Sequence, residues 1–120
     1  MKIEIMSFGH KYGPVQADLV FDVRCLANPY WVEALRPLCG LDAPVRDYIL
    51  ADPDSAEYLR LMGKLVRLQA RLSEAKGCES LRIAVGCTGG HHRSVAAAAW
   101  LAQLLEGQCT LTHRDLAREG

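Results

Sequence analysis

An apolar run, Leu81 to Val85, leads straight into Gly86-Cys87-Thr88-Gly89-Gly90-His91-His92-Arg93-Ser94, and an alanine-rich apolar stretch follows at once. A strand that turns through a glycine-containing loop into a helix leaves few folds open. The two elements must pack on one another, which is the grammar of an α/β domain with parallel strands. Gly89 and Gly90 let the loop curl tightly enough for successive N–H groups to point inward as a nest. The helix that begins near Ser94 adds roughly half a positive elementary charge at its amino end. Cys87 and Arg93 frame five residues, the C-x5-R spacing by which a thiol and a guanidinium converge on one tetrahedral oxyanion. The expected guest is a phosphorylated small molecule. Thr88, Gly89, Gly90, His91 and His92 would give backbone donors, Arg93 a bidentate fork, Ser94 a helix cap and a hydroxyl, and Cys87 the floor.

The rest of the chain supplies a frame for that loop. Lys2 to Met6 alternates polar with apolar as a first strand, ended by Ser7-Phe8-Gly9. Residues 18 to 23 are apolar around Asp22 and read as a buried second strand. A buried Asp22 needs Arg24, Arg46 or a ligand ammonium or hydroxyl as partner, and it would read the far end of the guest. Between these strands, His10-Lys11-Tyr12-Gly13-Pro14 is a turn that could overhang a site. From Arg24 to about Ala51 prolines and glycine break the chain repeatedly; Asn28 and Pro29 open a helical turn, and the whole segment is expected to act as a lid. Asp52 and Pro53 start a long helix. Tyr58, Leu61, Met62, Leu65, Leu68 and Leu72 are its expected buried stripe, and Gly77 is its stop. Val95 to Leu105 predicts a deeply buried helix, Gly107 its end, and Cys109 to Thr112 a last strand, the helix joining a parallel pair. The expected architecture is one small α/β domain over residues 1–120, with a short, mainly parallel sheet flanked by helices. The glycine-rich loop follows a central strand, and the ligand lies beyond the strands' carboxyl ends, near Asp22, Arg24 and Cys87.

Composition narrows the function classes. A chain of 120 residues, 50% hydrophobic, holds one core, and no apolar run approaches the roughly 20 residues of a membrane span. The amino-terminal residues do not read as a signal peptide, so a cytoplasmic location is expected. Five cysteines without a C-x-x-C pair read as reduced thiols. Zero formal charge and a pI near 6.9 remove the global footprint of a nucleic-acid binder. A local one remains: Arg60, Lys64, Arg67 and Arg71 lie along one helix face, tempered by Glu57 and Glu74. Adjacent His91 and His92 usually point apart, and no further ligand stands at metal spacing, so neither metal nor cofactor is expected.

Cys87-x-x-Gly90-x-x-Arg93-Ser94 resembles the protein tyrosine phosphatase signature loop, though Gly86 stands where those enzymes carry histidine. Read so, Cys87 is the nucleophile, Arg93 clamps phosphoryl oxygens, and Asp22 or Asp47 would donate the proton. A broader resemblance covers nearly the whole chain. Ser7 to Gly13, Asp18 to Arg24, Asn28-Pro29-Tyr30, Leu35 to Leu38, Gly40 to Asp42, Pro44 to Tyr48, the Cys87 loop and His113 to Leu116 occur in the order found in the C-terminal domain of the RNase adapter protein RapZ family. That resemblance implies a domain that senses glucosamine-6-phosphate and, in some members, binds small regulatory RNAs. It implies a pocket of Asp22, Arg24, Tyr30, Arg46, Cys87, Thr88, Gly89, His92 and Arg93. No G-x-x-x-x-G-K-[ST] loop is present. The expectation is therefore a stand-alone sensor of a sugar phosphate that relays occupancy to a partner, with binding rather than turnover. An RNA-binding adaptor and a cysteine-dependent phosphatase are the alternatives. An RNA or protein partner and a homo-oligomer stay open.

Overall fold

The structure, a computed structural model, describes residues 1–118. Four strands form one parallel sheet: β1 (Lys2–Gly9), β2 (Leu19–Asp22), β3 (Ser80–Cys87) and β4 (Thr110–His113), in the order β2-β3-β1-β4. The helices are α1 (Ala43–Ala51), α2 (Pro53–Ala75) and α3 (Arg93–Leu104). This is the small α/β domain that the strand–loop–helix pattern predicts.

Alternation along the strands decides where the helices sit. Ile5 on β1 and Leu81, Ile83, Val85 and Cys87 on β3 share one face, and all are buried in a cluster with Val45 and Ile49 of α1, Leu59, Met62 and Val66 of α2, and Ala97 and Leu101 of α3. On the other face Glu4 pairs with Arg82 at 3.4 Å. The helices thus flank the sheet on its apolar side. In register, Gly9 lies opposite Cys87 and Asp22 opposite Gly86, so three strands end together on one rim.

Four sequence expectations are revised. β1 runs on through Ser7-Phe8-Gly9, because those residues keep the ladder with Val85 to Cys87. β2 is an edge strand, not a buried one: Val20 is 52% exposed and Asp22 is exposed. Although α3 connects β3 to β4, β4 lies beside β1, so the crossover passes over a neighbour. The segment from Arg24 to Ala51 is no free lid. It holds α1, buries Val45 and Ile49, donates Ala27 N–H to Ser55 Oγ at 2.9 Å, and donates Gly40 N–H to the His91 carbonyl at 2.9 Å.

α2 starts as expected. Asp52 accepts from the Ser55 amide at 2.9 Å and from its hydroxyl at 2.7 Å, and Gly77, at φ +85°, lets the chain leave the helix. Its buried residues, however, are Ser55, Leu59, Met62, Gly63 and Val66. Leu61, Leu65, Leu68 and Leu72, expected inside, lie on the solvent side. Both rows have helical spacing, and the sheet took the one with the small residues Ser55 and Gly63. At Gly63 a Cβ would stand 2.4 Å from Leu104 Cδ2 and 3.3 Å from the Trp100 ring, which marks how closely α2 approaches α3.

Gly40 fixes the other approach, since a Cβ there would lie 2.4 Å from both the Ala96 nitrogen and the His92 oxygen. Those are backbone atoms at the first turn of α3 and cannot swing away. Gly40→Ala is expected to lose roughly 2–4 kcal/mol in urea denaturation. Gly89→Ala, whose nearest neighbour would be Lys11 Cε at 3.9 Å, should stay within about 0.5 kcal/mol of the parent. Equal losses would refute the close packing at Gly40.

Candidate functional site

The glycine-rich loop spans Thr88 to His92, between β3 and α3. Its course is set by backbone laid against backbone. Gly90 has φ +72°, and a Cβ on it would stand 2.7 Å from the Gly9 nitrogen; a Cβ on Gly9 would stand 2.5 Å from the Gly89 carbonyl carbon. Only glycines allow the end of β1 and the loop to touch so closely. Asp115, with no exposure, accepts the Gly9 N–H at 2.8 Å. Arg114, at 2.9 Å, and Arg118, also at 2.9 Å, hold its carboxylate. Burial alone would raise the Asp115 pKa, but the Arg114 and Gly9 hydrogen bonds and the two guanidinium charges outweigh it and hold the group below its ordinary value.

Three of the loop's five carbonyls are spent on this scaffold. Thr88 O accepts from Lys11 N–H at 3.2 Å, His91 O from Gly40 N–H at 2.9 Å, and His92 O from Ala96 N–H at 3.0 Å. Its amides are not: among the described residues, no N–H from Thr88 to His92 has a protein acceptor. A helix start preceded by free amides is an anion-binding geometry.

Beside the loop lies a cavity of about 460 Å³ lined by Lys11, Asn28, Tyr30, Arg36, Cys87, Thr88, Gly89, His91, His92 and Arg93. Two arginines and a lysine reach it, and among the described residues no carboxylate lines it. Arg36 stacks over the Tyr30 ring at 5.1 Å and donates from Nε to the Tyr30 carbonyl at 2.6 Å. Arg93 donates from Nη1 to the Arg24 carbonyl. His91 and His92 do not point apart as expected. Their ring centroids are 4.8 Å apart, edge to face, because His92 turns to donate from Nε2 to the Arg36 carbonyl at 3.2 Å. Buried His91 Nδ1 has no hydrogen-bond partner among the described residues. Burial, then the neighbouring His91, lowers the His92 pKa below its usual value.

A larger hollow of about 910 Å³ lies along Met1, Ile3, Arg67, Arg71 and Glu106. It is away from the strands' carboxyl ends, and Glu74 and Glu106 balance its arginines, so the smaller cavity is the functional candidate.

Of the residues singled out in the sequence, Tyr30, Cys87, Thr88, Gly89, His91, His92 and Arg93 line the cavity, whereas Asp22, Arg24, Arg46, Gly90 and Ser94 do not. Gly90 is the pivot beneath it. Ser94 is not the helix cap; that position is His92, which makes no side-chain cap bond. Fully buried Ser94 instead accepts the Cys87 thiol at 3.1 Å. Asp22 finds its partner in Arg24, through contacts of 2.6 to 3.1 Å. That hydrogen-bonded guanidinium draws its pKa down to about 2. Arg46 sits on α1, half-buried. Asp47 is exposed on the same helix. The basic row is exposed, but Arg60 pairs with Glu57 and Arg67 donates to the Leu104 carbonyl at 2.9 Å. Among the described residues no His, Cys, Asp or Glu group is placed to hold a metal.

The family description that matches residues 1–117 is that of the RapZ C-terminal domain. The chain belongs to that family. It is 50% identical to a nucleotide-binding protein of Parafrankia over 119 residues, which are 96% of this chain and 41% of that protein. It is 47% identical to one of Mycobacterium leprae over 98% of this chain and 41% of the relative. With one of Caldanaerobacter subterraneus the identity is 44%, over 98% and 43% respectively. The chain therefore spans about two fifths of the length of these relatives. In this RapZ C-terminal domain, Lys11, Asn28 and Arg36 were not expected at the site. Lys11 had a signal, since its turn could overhang a ligand, and Asn28 was recognised only as a cap. Arg36, in an irregular segment, had none.

Two half-buried imidazoles fix the acid response. His92 and His113 are both lowered from 6.5 by burial, so the unfolded chain takes up protons first as pH falls. Stability should be fully present above pH 6.5 and decline as pH drops through the folded-state values. Asp22 and Asp115, both depressed, keep their contributions until well into the acid range. Urea midpoints that fall between neutral pH and about pH 5 are the expected result; a flat profile would contradict the burial of these rings.

Proposed function

We propose that the cavity binds a phosphorylated small metabolite, a sugar phosphate such as glucosamine-6-phosphate, and that this domain senses it for a partner. One observation carries the reading: Lys11, Arg36 and Arg93 converge with the unbonded loop amides on a hollow that, among the described residues, no carboxylate lines. Uncompensated charge of one sign at a helix amino terminus is unfavourable until an anion arrives. The volume falls within the roughly 300–1,000 Å³ typical of small-ligand sites. In this reading the phosphate rests on the loop and Arg93, while the sugar extends toward Tyr30 and Asn28. The relatives are named for nucleotide binding, but they are proteins more than twice this length, so nucleotides enter as competitors for the same cavity.

Turnover is disfavoured. The Cys87 thiol is 3% exposed and committed to Ser94, Asp22 is locked to Arg24, and among the described residues no carboxylic acid lines the cavity to protonate a leaving group.

A thermal-shift panel of hexose phosphates, nucleotides, an aryl phosphate and inorganic phosphate tests this. Saturating glucosamine-6-phosphate should stabilise the domain by about 2.7 kcal/mol at a hundredfold excess over Kd. Arg93→Ala should weaken binding about tenfold or more, as expected for a lost charge-assisted hydrogen bond. A shift that survives that substitution would place the ligand elsewhere, and hydrolysis of the aryl phosphate would restore the phosphatase reading.

A further inference from the structure

The solvent side of α2 carries two adjacent rows. Leu61, Leu65, Leu68 and Leu72 are 51, 44, 42 and 50% exposed. Each is directly preceded by a base, Arg60, Lys64, Arg67 and Arg71 in turn. Single exposed leucines need no account, but four in one row do. The domain does not use them: α2 meets its own core through Leu59, Met62, Gly63 and Val66. Their alternating four-and-three spacing is that of the a and d positions of a heptad seam, which fits another helix.

We propose that this face docks an amphipathic helix of a partner protein whose apolar seam is flanked by carboxylates. Shape follows from the seam and sign from the basic row. Arg60 is shared with Glu57 and Arg67 with the Leu104 carbonyl, whereas Lys64 and Arg71 have no carboxylate within ion-pair distance among the described residues. A second copy of this chain fits poorly. Antiparallel pairing of Leu61 with Leu72 and Leu65 with Leu68 brings Lys64 of one copy near Arg71 of the other. Parallel pairing brings Arg71 beside Lys76. Like charges along the seam's edge oppose both arrangements and leave an acidic partner favoured.

The probe is a synthetic helical peptide of about three heptads with leucine at a and d and glutamate at e and g, beside a twin with lysine for glutamate. By fluorescence anisotropy the acidic peptide should bind at least about tenfold more tightly than its twin, with the preference shrinking in high salt. Leu65→Ser/Leu68→Ser should cost at least about tenfold in affinity with the melting temperature unchanged or raised, since neither side chain supports the core. Lys64→Glu/Arg71→Glu should reverse the preference between the two peptides. The proposal is overturned if the acidic peptide does not bind, or if leucine substitution leaves binding intact. It is equally overturned if sedimentation shows a dimer that Leu65→Ser/Leu68→Ser dissolves. Tight binding of an RNA oligonucleotide or phosphatidylserine vesicles that needs the same leucines and excludes the peptide would also overturn it.

Discussion

The contact between the end of β1 and the loop, glycine backbone on glycine backbone, is what the rest of the domain is arranged around. Gly9 and Gly90 cannot carry side chains where they are, so the Thr88 to His92 loop rides directly on the rim of the sheet. A buried carboxylate completes the joint. Asp115 reaches back from beyond β4 to the Gly9 amide and is neutralised by Arg114 and Arg118. A lone buried charge would be costly; with two guanidiniums and a backbone donor it becomes a brace. Ser7 and His113, 2.6 Å apart on neighbouring strands, continue that brace one step inward. The precision of the loop thus comes from both ends of the sequence, more than 100 residues apart.

Charge is sorted by the same architecture. Near the rim the carboxylates are already occupied, Asp22 by Arg24 and Asp115 by Arg114 and Arg118. Arg36 and Arg93 make their protein bonds to backbone carbonyls, which position a guanidinium without cancelling its charge. The Thr88, His91 and His92 carbonyls face the scaffold, and among the described residues the loop amides meet no acceptor. The cavity is positive because Asp22 and Asp115, the rim carboxylates, are already paired with arginines, not because the chain as a whole is basic: its net charge is zero.

Much of this was legible, and the misses share a cause. The strand–loop–helix unit, the Asp52 cap and the Gly77 stop rest on local chemistry, and each stands where sequence puts it. Choosing between two equally spaced rows on α2 is a tertiary decision. Leucine is the more hydrophobic, but Gly63 and Ser55 let α2 come close to its neighbours, and proximity won. β2 misled likewise, since an apolar strand reads as central whether or not a neighbour covers it. α1 hid behind Pro44, which local reading takes as a breaker although a first-turn proline is compatible with a helix. The loop residues of the site were visible because their spacing is local. Arg36 and Asp115 were not, since only the fold brings them there.

α3 links the two ends of the molecule. Its first turn closes the cavity with Arg93, and its last turn offers the Leu104 carbonyl to Arg67 of the basic row. Between them Val95, Ala98 and Leu101 are without exposure, so the helix is packed into the core along its length. At its far end the Trp100 and Leu104 side chains rest against Gly63, where a bulkier residue would loosen the joint between α2 and α3. One buried helix thus joins the Arg93 end of the cavity to the contacts that Arg67 and Gly63 make with it, on the helix that bears the exposed leucines.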